Sequence, residues 1–235
     1  MITSPVSSAL YSAVIKSTHH LSVESPSAIV PQTAHLSLKS RWKRCLDVIG
    51  AVVGLLITAL LYLPIAIAIQ LDHPGPVFYG QIRCGVNGRP FKIWKFRSMI
   101  TDADQRQHLV KNEAKGLIFK SKDDPRITRL GKFLRRTSLD EFPQFWNVLR
   151  GEMSLVGTRP PTLDEVAKYQ PHHWVRLNVK PGMTGEWQVN GRSNVIDFED
   201  IVKMDIAYQQ KWSHGYDIKL IIRTIGVVFN KQGAC

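Results

Sequence analysis

A long uncharged apolar run dominates the hydropathy pattern of the chain. It covers residues 48–69, and as a helix it would be roughly 33 Å long, enough to cross the hydrocarbon core of a bilayer. Pro64 lies inside the run, where it lacks an N–H group and clashes with the carbonyl of Leu60, so the pattern predicts a sharp kink there. Ahead of the run, residues 1–38 are rich in Ser, Thr and Pro, which predicts a flexible tail.

Shorter periodic segments follow the apolar run. Residues 77–83 and 91–98 are β-prone and are separated by a turn with Asn87-Gly88, a strong hairpin signal because both residues tolerate positive φ. The spacing Thr101-x-x-Asp104 predicts a capping box that opens a polar helix towards residue 115. Further helices are predicted over 128–136, from residue 138 or 140 through 149, over 198–212 and over 218–229, the first with Leu130, Phe133 and Leu134 facing inward.

Basic residues flank the apolar run on both sides. Lys39 to Arg44 precede it, and a second basic group that ends at Arg97 follows it. A spanning helix should leave most Lys and Arg on the cytoplasmic side, yet here both flanks are basic. A re-entrant helix over residues 39–72, which bends at Pro64 and returns to the same face, removes this contradiction. The pattern alone also leaves open a single span or a buried core helix.

Charge is distributed unevenly along the 235 residues. The formal net charge is +12, and the first 38 residues contribute only Lys16 and Glu24, so the whole excess lies from Lys39 onward. Such an excess implies an anionic partner: nucleic acid, lipid head groups or a phosphorylated substrate. The three cysteines have no Cys-x-x-Cys spacing, which indicates neither a disulfide framework nor a zinc site. His172-His173 is interpreted as a surface pair rather than a metal site.

Two adjacent acids, Asp140 and Glu141, follow a basic stretch that contains Arg135. A carboxylate surrounded by guanidinium groups stays ionised and can attack an anionic phosphate, so the pair suggests phosphate chemistry. The same residues fit a helix start, because Ser138-x-x-Glu141 is a capping box and the helix dipole favours an acid in the first turn. The pattern alone leaves both interpretations open.

Other basic side chains occupy predicted strands and turns. Lys95 and Arg97 are two residues apart, so they share one face of the second predicted strand. Arg159 precedes Pro160-Pro161 in a rigid turn, and the segment 180–185 is again turn-rich and basic. Loops held by a scaffold are the usual place for ligand contacts, although a solvated basic surface explains the same pattern.

Ordered motifs extend from Lys43 to Arg192. They are Lys43-Arg44-x-x-Asp47, Gly75-Pro-Val-Phe78, Lys95-Phe-Arg97-Ser-Met99, Arg135, Thr137-Ser-Leu-Asp140-Glu141-Phe-Pro143-Gln144, Gly151-Glu-Met-Ser-Leu-Val-Gly157, Arg159-Pro160, Pro181-Gly-Met-Thr-Gly185 and Gln188-x-x-Gly191-Arg192. In these motifs the chain resembles the bacterial sugar transferases, the monotopic phosphoglycosyl transferases that start polysaccharide assembly on a polyprenyl carrier.

The resemblance implies a fold and an activity. The expected fold is α+β, with a flexible tail (1–38), a re-entrant membrane helix bent at Pro64 (39–72) and a cytoplasmic catalytic domain (73–235) built from a small hairpin and several helices. The resembling enzymes transfer sugar-1-phosphate from a UDP-sugar to polyprenyl (undecaprenyl) phosphate and release UMP. Their product starts exopolysaccharide, capsule or O-antigen assembly at the cytoplasmic face of the bacterial inner membrane.

Residue roles follow from the same resemblance. Asp140 is expected to be a nucleophile that carries a covalent phosphosugar, and Glu141, together with Asp140, is expected to hold Mg²⁺. Phosphate-binding roles are expected for Arg135, Arg159, Lys95 and Arg97. The expected partners are a UDP-sugar, polyprenyl phosphate and the lipid bilayer. The exposed apolar helix face leaves a homodimer open.

Three positions depart from the family pattern: Leu63, Thr158 and Glu186. Leu63 weakens the assignment of Pro64 as the hinge. Thr158 and Glu186 concern the choice of substrate, and none of the three positions belongs to the dyad. The polar tail predicts that the chain lacks the multi-helix membrane domain of larger relatives. Two other classes also fit the basic excess, a non-catalytic basic membrane adaptor and a nucleic-acid-binding protein. No nucleic-acid-binding motif is present, so nucleic acid is not an expected partner.

Overall fold

The computed structural model describes residues 34–191 and 195–229. The helices are α1 (Leu36–Lys39), α2 (Arg41–Asp72), α3 (Arg129–Arg136), α4 (Phe145–Arg150), α5 (Leu163–Val166), α6 (Glu186–Gly191), α7 (Phe198–Lys211) and α8 (His214–Phe229), and the strands are β1 (Phe78–Cys84), β2 (Pro90–Phe96), β3 (Ser154–Val156) and β4 (Gly182–Thr184). The strands form two small sheets among these helices, which confirms the mixed α+β class.

Most of the predicted tail, residues 1–33, lies outside the described residues. The remaining part is ordered by contacts with the domain. The ring of His35 accepts a hydrogen bond from the backbone of Ser37 at Nδ1 and donates from Nε2 to the carbonyl of Gln209 at 3.1 Å. The folded region therefore begins a few residues ahead of the predicted boundary at residue 39.

The long helix α2 matches the predicted apolar segment. The side chain of Ser40 caps its first turn, and Pro64 lies inside it. Among the described residues, α2 is the one helix long and apolar enough to cross a membrane. Its buried side forms a stripe in which residues recur mostly every three or four positions, namely Lys43, Asp47, Ala51, Gly54, Thr58, Ile65 and Ile69. Insertion into a bilayer and a kink at Pro64 stay predictions.

The first half of this stripe packs against the elements around α4 and β3. Asp47 accepts hydrogen bonds from the hydroxyl of Ser154 at 2.8 Å and from the backbone of Leu155 at 2.9 Å. A Cβ atom at Gly54 would overlap the ring of Phe145, so glycine permits this close approach of α2 and α4. The helix is thus fixed to the domain well before its midpoint.

The second half of the stripe packs on the hairpin and on α3. Ile65 and Ile69 form one hydrophobic cluster with Phe96 and Leu134. Beyond the helix end, the guanidinium of Arg97 donates to the carbonyls of His73 and Pro74. Both ends of α2 are therefore held by the same domain.

The predicted hairpin is confirmed. Strands β1 and β2 are antiparallel, with Tyr79 opposite Lys95 and Arg83 opposite Phe91. Asn87 and Gly88 adopt φ of 54° and 76°, the left-handed values that the Asn-Gly signal requires. Because side chains alternate along a strand, Tyr79, Arg83 and Lys95 belong to one face of the hairpin.

Two local predictions are wrong. Residues 101–115 form turns and a 3₁₀ helix at Gln107–Leu109 instead of the predicted helix. The reason is that the carboxylate of Asp104 accepts a hydrogen bond from the hydroxyl of Tyr79 at 3.0 Å rather than supporting a helix start. Helix α3 is present with its N-cap at Thr128, and Leu130 and Leu134 pack inward as predicted, but Phe133 on it is 46% exposed.

The C-terminal part of the domain completes the scaffold. Strands β3 and β4 pair in parallel, and α7 and α8 lie close to the helices predicted over 198–212 and 218–229. A hydrophobic cluster joins β3 to both helices through Val156, Tyr208 and Leu220. This cluster links β3 to α7 and α8, and the buried stripe of α2 links α4 and β3 to the hairpin and α3.

Candidate active site

The dyad lies on a tight, unusual turn. Ser138 adopts φ 56°, ψ 17°, and a 3₁₀ helix at Leu139–Gln144 then carries Asp140 and Glu141 into α4. The predicted capping box is wrong, because the Ser138 side chain makes no cap hydrogen bond. Pro143 explains the 3₁₀ geometry, since a proline cannot supply the N–H that a regular α-helix needs beyond its first turn. A left-handed serine costs about 1–3 kcal/mol and turns the chain sharply just before the dyad.

Two of the predicted cations lie beside the dyad. The ammonium of Lys95 pairs with Oε1 of Glu141 at 2.9 Å. Arg135 donates from Nε to the hydroxyl of Ser98 at 2.9 Å, and burial holds its pKa below the ordinary value while the nearby Asp140 carboxylate acts in the opposite direction. Asp140 itself is only 3% exposed. Lys95 and Arg135 therefore lie near the dyad, and phosphate binding by these two residues stays a prediction.

The other two predicted cations make different contacts. Arg97 is buried and donates to backbone carbonyls beyond the end of α2, and it lies one residue after β2 rather than on a shared strand face with Lys95. Arg159 forms a bidentate ion pair with Glu165, at 2.7 Å and 3.0 Å. Burial lowers the pKa of Arg159, but Glu165 outweighs this effect and leaves the pKa raised. Phosphate binding by these two residues stays a prediction.

Arg83 is a cation that the sequence analysis missed. It donates to Oε1 of Gln81 and to the carbonyl of Pro160 at 3.1 Å, and the next residue, Cys84, donates its backbone N–H to Pro161 at 2.9 Å. These bonds tie the end of β1 to the turn that carries Arg159. The sequence signal that could have identified Arg83 is its position. It lies an even number of residues from Tyr79, and therefore both side chains share one face of the strand.

The electrostatic surroundings of Arg83 link the dyad to Arg159. Burial, and then the like charge of Arg159, lower the pKa of Arg83 to about 10, whereas Glu165 and Glu141 act to raise it. Two guanidinium groups thus share the neighbourhood of one carboxylate, Glu165. A concentration of positive charge of this kind favours an anionic ligand between Arg159 and the dyad.

A buried ion pair supports the basic side of the site. Asp124 and Arg126 are joined by a bidentate pair with distances of 2.7–3.2 Å, and Nη1 of Arg126 donates to the carbonyl of Ala103. Burial acts to raise the pKa of Asp124, but the hydrogen bonds from Arg126 hold it below its ordinary value. The negative charge of Asp124 also acts to raise the pKa of Arg135. This pair was not predicted, because its influence on Arg135 depends on tertiary packing.

The oxygen donors of the dyad fit Mg²⁺. Carboxylate oxygens are the ligands that Mg²⁺ prefers, and it is usually held by one or two carboxylates, with waters and substrate phosphates completing the shell. Asp140 and Glu141 supply two such groups, and the ion pair with Lys95 uses one oxygen of Glu141. In residues 34–191 and 195–229, neither acid belongs to a cluster of three or more metal-binding side chains. Substrate phosphates and water would therefore have to complete the coordination.

A second group of potential ligands lies away from the dyad. His172, His173 and Glu199 come together, and His173 is only 3% exposed, so its interpretation as a surface residue is wrong. Nδ1 of His173 accepts the backbone N–H of Gln170 at 3.0 Å, and Nε2 therefore donates to Glu199 at 2.8 Å. These hydrogen bonds hold the pKa of Glu199 below its ordinary value. The tautomer that this arrangement requires places a proton on Nε2, which opposes metal binding there.

The two departures from the family pattern near the site have structural contacts. The hydroxyl of Thr158 donates to the carbonyl of Arg176 at 3.1 Å and is buried. Glu186 accepts hydrogen bonds from the hydroxyl of Tyr216 at 2.5 Å and from the amide of Asn190 at 2.8 Å. Both residues are engaged within the scaffold, and their influence on substrate choice stays a prediction.

Comparison with known proteins identifies relatives of the chain. The galactosyl transferase CpsE of Streptococcus agalactiae serotype III (strain NEM316) is 52% identical over 194 residues, covering 82% of this chain and 43% of the relative. The UDP-glucose:undecaprenyl-phosphate glucose-1-phosphate transferase of Escherichia coli (strain K12) is 40% identical over 199 residues, covering 82% and 41%. The chain thus spans less than half the length of these two relatives.

A shorter relative is matched over most of its own length. The exopolysaccharide production protein ExoY of Rhizobium meliloti (strain 1021) is 39% identical over 198 residues, covering 82% of this chain and 87% of the relative. The family model described as bacterial sugar transferase matches residues 38–231, a range that contains the dyad, α2 and all the cations discussed above. On this evidence the chain belongs to the bacterial sugar transferase family.

Proposed function

We propose that the chain transfers sugar-1-phosphate from a UDP-sugar to undecaprenyl phosphate and releases UMP. The observation that carries this proposal is the position of the dyad. Glu141 pairs with Lys95. The carbonyl of Phe142, the next residue, lies 3.4 Å from the hydroxyl of Thr58 on α2, which itself donates to the carbonyl of Gly54 at 2.7 Å. An anion-binding site therefore adjoins the apolar helix, where a lipid phosphate and a soluble nucleotide sugar can meet.

The reaction proceeds in two displacement steps. A carboxylate oxygen of Asp140 attacks the sugar-side phosphorus of the diphosphate, a P–O bond to the carboxylate forms, and the bond to the UMP oxygen breaks. UMP leaves with the electron pair. A phosphate oxygen of the polyprenyl carrier then attacks the same phosphorus and displaces the Asp140 carboxylate, which completes the transfer and restores the enzyme. Two steps through one covalent enzyme predict ping-pong kinetics.

Cations around the dyad stabilise the charge that moves during both steps. Arg135 and Lys95 lie beside Asp140 and Glu141, and Arg83 connects this region with Arg159. Guanidinium groups suit phosphate because they donate two parallel N–H bonds. We assign Lys95, Arg135 and Arg83 to the reacting phosphate and Arg159 to the far side of the diphosphate. Arg97 remains a weaker candidate, because its guanidinium is occupied by the carbonyls after α2.

Mg²⁺ would be held by Glu141 and Asp140. When bound, it supplies positive charge that neutralises phosphate oxygens and the departing UMP. The ion pair with Lys95 orients the Glu141 carboxylate, which would bind the metal ion in place of the lysine or beside it.

The decisive experiment measures UMP release. The detergent-solubilised protein is incubated with Mg²⁺, undecaprenyl phosphate and, in separate reactions, UDP-glucose, UDP-galactose and N-acetylated UDP-sugars. The relatives are named for galactose and for glucose, so these two sugars are the first candidates for this chain. Release of UMP that depends on the carrier supports the transferase. No UMP from any sugar would favour the non-catalytic membrane adaptor.

We further propose that α2 is re-entrant and that the catalytic domain lies at the cytoplasmic face of the bacterial inner membrane. The support is that both halves of the helix pack on one domain, whereas a helix crossing the bilayer between them would separate those contacts. The opposite face is apolar and exposed, with Leu56 67%, Leu60 78% and Leu63 65% accessible. This face is available to lipid, and whether a second copy of the chain also binds it stays a prediction.

Single-cysteine labelling tests the re-entrant arrangement. In a protein without its native cysteines, cysteine is placed at Lys39 or at Arg89, both exposed and on opposite flanks of α2. An impermeant maleimide added to intact spheroplasts is expected to label neither position, and permeabilised cells should show both labelled. Labelling of one flank from outside would contradict the proposal and establish a single span.

Arg83 offers a test of the phosphate-binding assignment. Arg83→Ala is expected to lower kcat/KM for the UDP-sugar by about 10- to 100-fold, because a hydrogen bond to a charged group contributes roughly 1.5–3 kcal/mol. The lower rate should appear in the first displacement step, which is measured as burst release of UMP. Arg83→Lys should recover part of the activity, since it keeps the charge but not the bidentate geometry.

The control for Arg83 is Arg89→Ala, which removes the same charge from an exposed position on the same hairpin. Arg83 also holds the carbonyl of Pro160, so thermal stability is measured in parallel. Equal losses of the two displacement steps, with a lower midpoint of unfolding and no effect on KM for the UDP-sugar, would assign Arg83 a purely structural role.

A further inference from the structure

A small cavity lies at the start of α2, away from the dyad. Its volume is about 80 Å³, and Lys43, Arg44, Asp47 and Lys180 are among the residues that line it. On the same measure a single water needs roughly 10–15 Å³, so the space holds several waters or one phosphate-sized group. We refer to it as the Lys180 cavity.

Three of the four charged groups in this cavity have partners. Lys43 pairs with Asp217 at 2.6 Å, and Asp47 accepts hydrogen bonds from β3. Arg44 donates to the carbonyls of residues 148 and 149 at 2.7 Å and 2.6 Å, which caps the C-terminus of α4. The ammonium of Lys43 and the guanidinium of Arg44 are therefore held in fixed positions at the cavity.

Lys180 is the exception. Its side chain is half-buried, and within the described parts of the chain its ammonium has neither a hydrogen-bond partner nor an ion-pair partner. Burial, and then the like charge of Arg44, lower the pKa of Lys180, while Asp47 acts in the opposite direction. Asp47 is the one carboxylate among the described residues that line the cavity, and it accepts its hydrogen bonds from β3, so Arg44 and Lys180 together leave an excess of positive charge there. The cavity thus has the charge, the donors and the room for an anion.

The position of the Lys180 cavity indicates what kind of anion reaches it. Trp42 and Leu36, next to it in sequence, are 69% and 71% exposed, and an exposed Trp beside an apolar helix is typical of the head-group level of a bilayer. Asp47 precedes Thr58 by eleven residues on α2, about 16 Å along the helix, so the cavity is separate from the dyad next to Phe142.

We propose that the Lys180 cavity is a second phosphate-binding site, independent of the transfer reaction, which receives the phosphate of a membrane phospholipid. Lys180 supplies the principal ion pair, and Arg44 adds positive charge from a fixed position. Such a site would anchor the first turns of α2 at the lipid head groups and would make membrane association depend on the phosphate group of the lipid.

Lipid binding to the full-length protein in neutral detergent provides the test. Native mass spectrometry is used to count bound dioleoylphosphatidic acid, with dioleoylglycerol as the probe that lacks only the phosphate. One phosphatidic acid should bind saturably, and Lys180→Gln should weaken its binding about tenfold or more, since the lost interaction is a charge-assisted hydrogen bond. The matched control is Lys203→Gln, which removes an equal charge from a side chain that is 74% exposed. Equal retention by Lys180→Gln and Lys203→Gln would overturn the proposal, as would equal binding of dioleoylglycerol.

A second measurement needs no variant. Acylation of the Lys180 amine in the unmodified protein is followed by peptide mass spectrometry, with Lys203 as the internal reference. Phosphatidic acid should slow acylation of Lys180 several-fold and leave Lys203 unchanged. Protection by inorganic phosphate but not by the lipid would retain the phosphate site and assign it a soluble ligand. No protection by either would overturn it.

Discussion

Replacement of Asp140 with asparagine is expected to abolish both UMP release and the covalent attachment of phosphosugar to the protein. An amide cannot attack phosphorus as a carboxylate does, so the loss should be on the order of 10⁴-fold or more. The two side chains are nearly the same size, and Asp140 is only 3% exposed, so the surrounding packing should persist. The measurement combines a UMP assay with trapping of radiolabelled sugar-phosphate on the protein from a labelled UDP-sugar.

The matched control for this variant is Asp164→Asn on α5, an exposed position where the same chemical change should leave both readouts intact. Thermal unfolding of the two variants separates a lost nucleophile from a lost fold. Labelled protein that survives Asp140→Asn, at a level similar to the control, would contradict the nucleophile assignment and would direct attention to Glu141.

Features with a local cause could be predicted from the sequence. The hairpin followed from Asn87-Gly88, because its left-handed φ values are a property of those two residues. The apolar run over residues 48–69 predicted the long helix α2, and α7 lies close to the helix predicted over 198–212. Each of these signals lies within the element that it specifies, so no knowledge of the rest of the fold is needed.

The candidate site shows where local pattern was insufficient. Ser138 was interpreted as a cap, but its left-handed backbone is imposed by the chain on both sides of the turn. The dyad itself was singled out because the two acids follow basic residues, and pattern alone could not separate chemistry from helix capping. The resemblance to a known family favours chemistry, and the catalytic role of the dyad stays a prediction.

Tertiary contacts account for the remaining differences. Lys95 and Arg97 are close in sequence, yet one pairs with Glu141 and the other holds the carbonyls beyond α2. Arg83 is connected to the site by its hydrogen bond to the carbonyl of Pro160, in a turn more than seventy residues later. Partners that are distant in sequence cannot be read from the periodicity of a single segment.

The ion pair between Lys43 and Asp217 is a clear example of such a distant contact, and its disruption should have a large effect on stability. The two residues are 6% and 1% exposed and 2.6 Å apart. Lys43→Met leaves the Asp217 carboxylate buried without its cation, which is expected to destabilise the protein by about 3–5 kcal/mol. Burial and the Asp217 carboxylate raise the pKa of Tyr208, so its hydroxyl stays protonated and continues to donate to Asp217.

A double variant distinguishes the lost pair from lost packing. Lys43→Met with Asp217→Asn removes both charges and keeps an oxygen that can accept from Tyr208, so it should recover a large part of the stability lost by Lys43→Met alone. Thermal unfolding in detergent ranks the variants, and Lys39→Met, at an exposed position just before α2, is the control. Equal destabilisation by the single and double variants would show that the aliphatic stem of Lys43 matters more than its charge. Because Lys43 belongs to the first turn of α2 and Asp217 to α8, the recovered free energy measures how firmly this pair fastens the apolar helix to the C-terminal part of the domain.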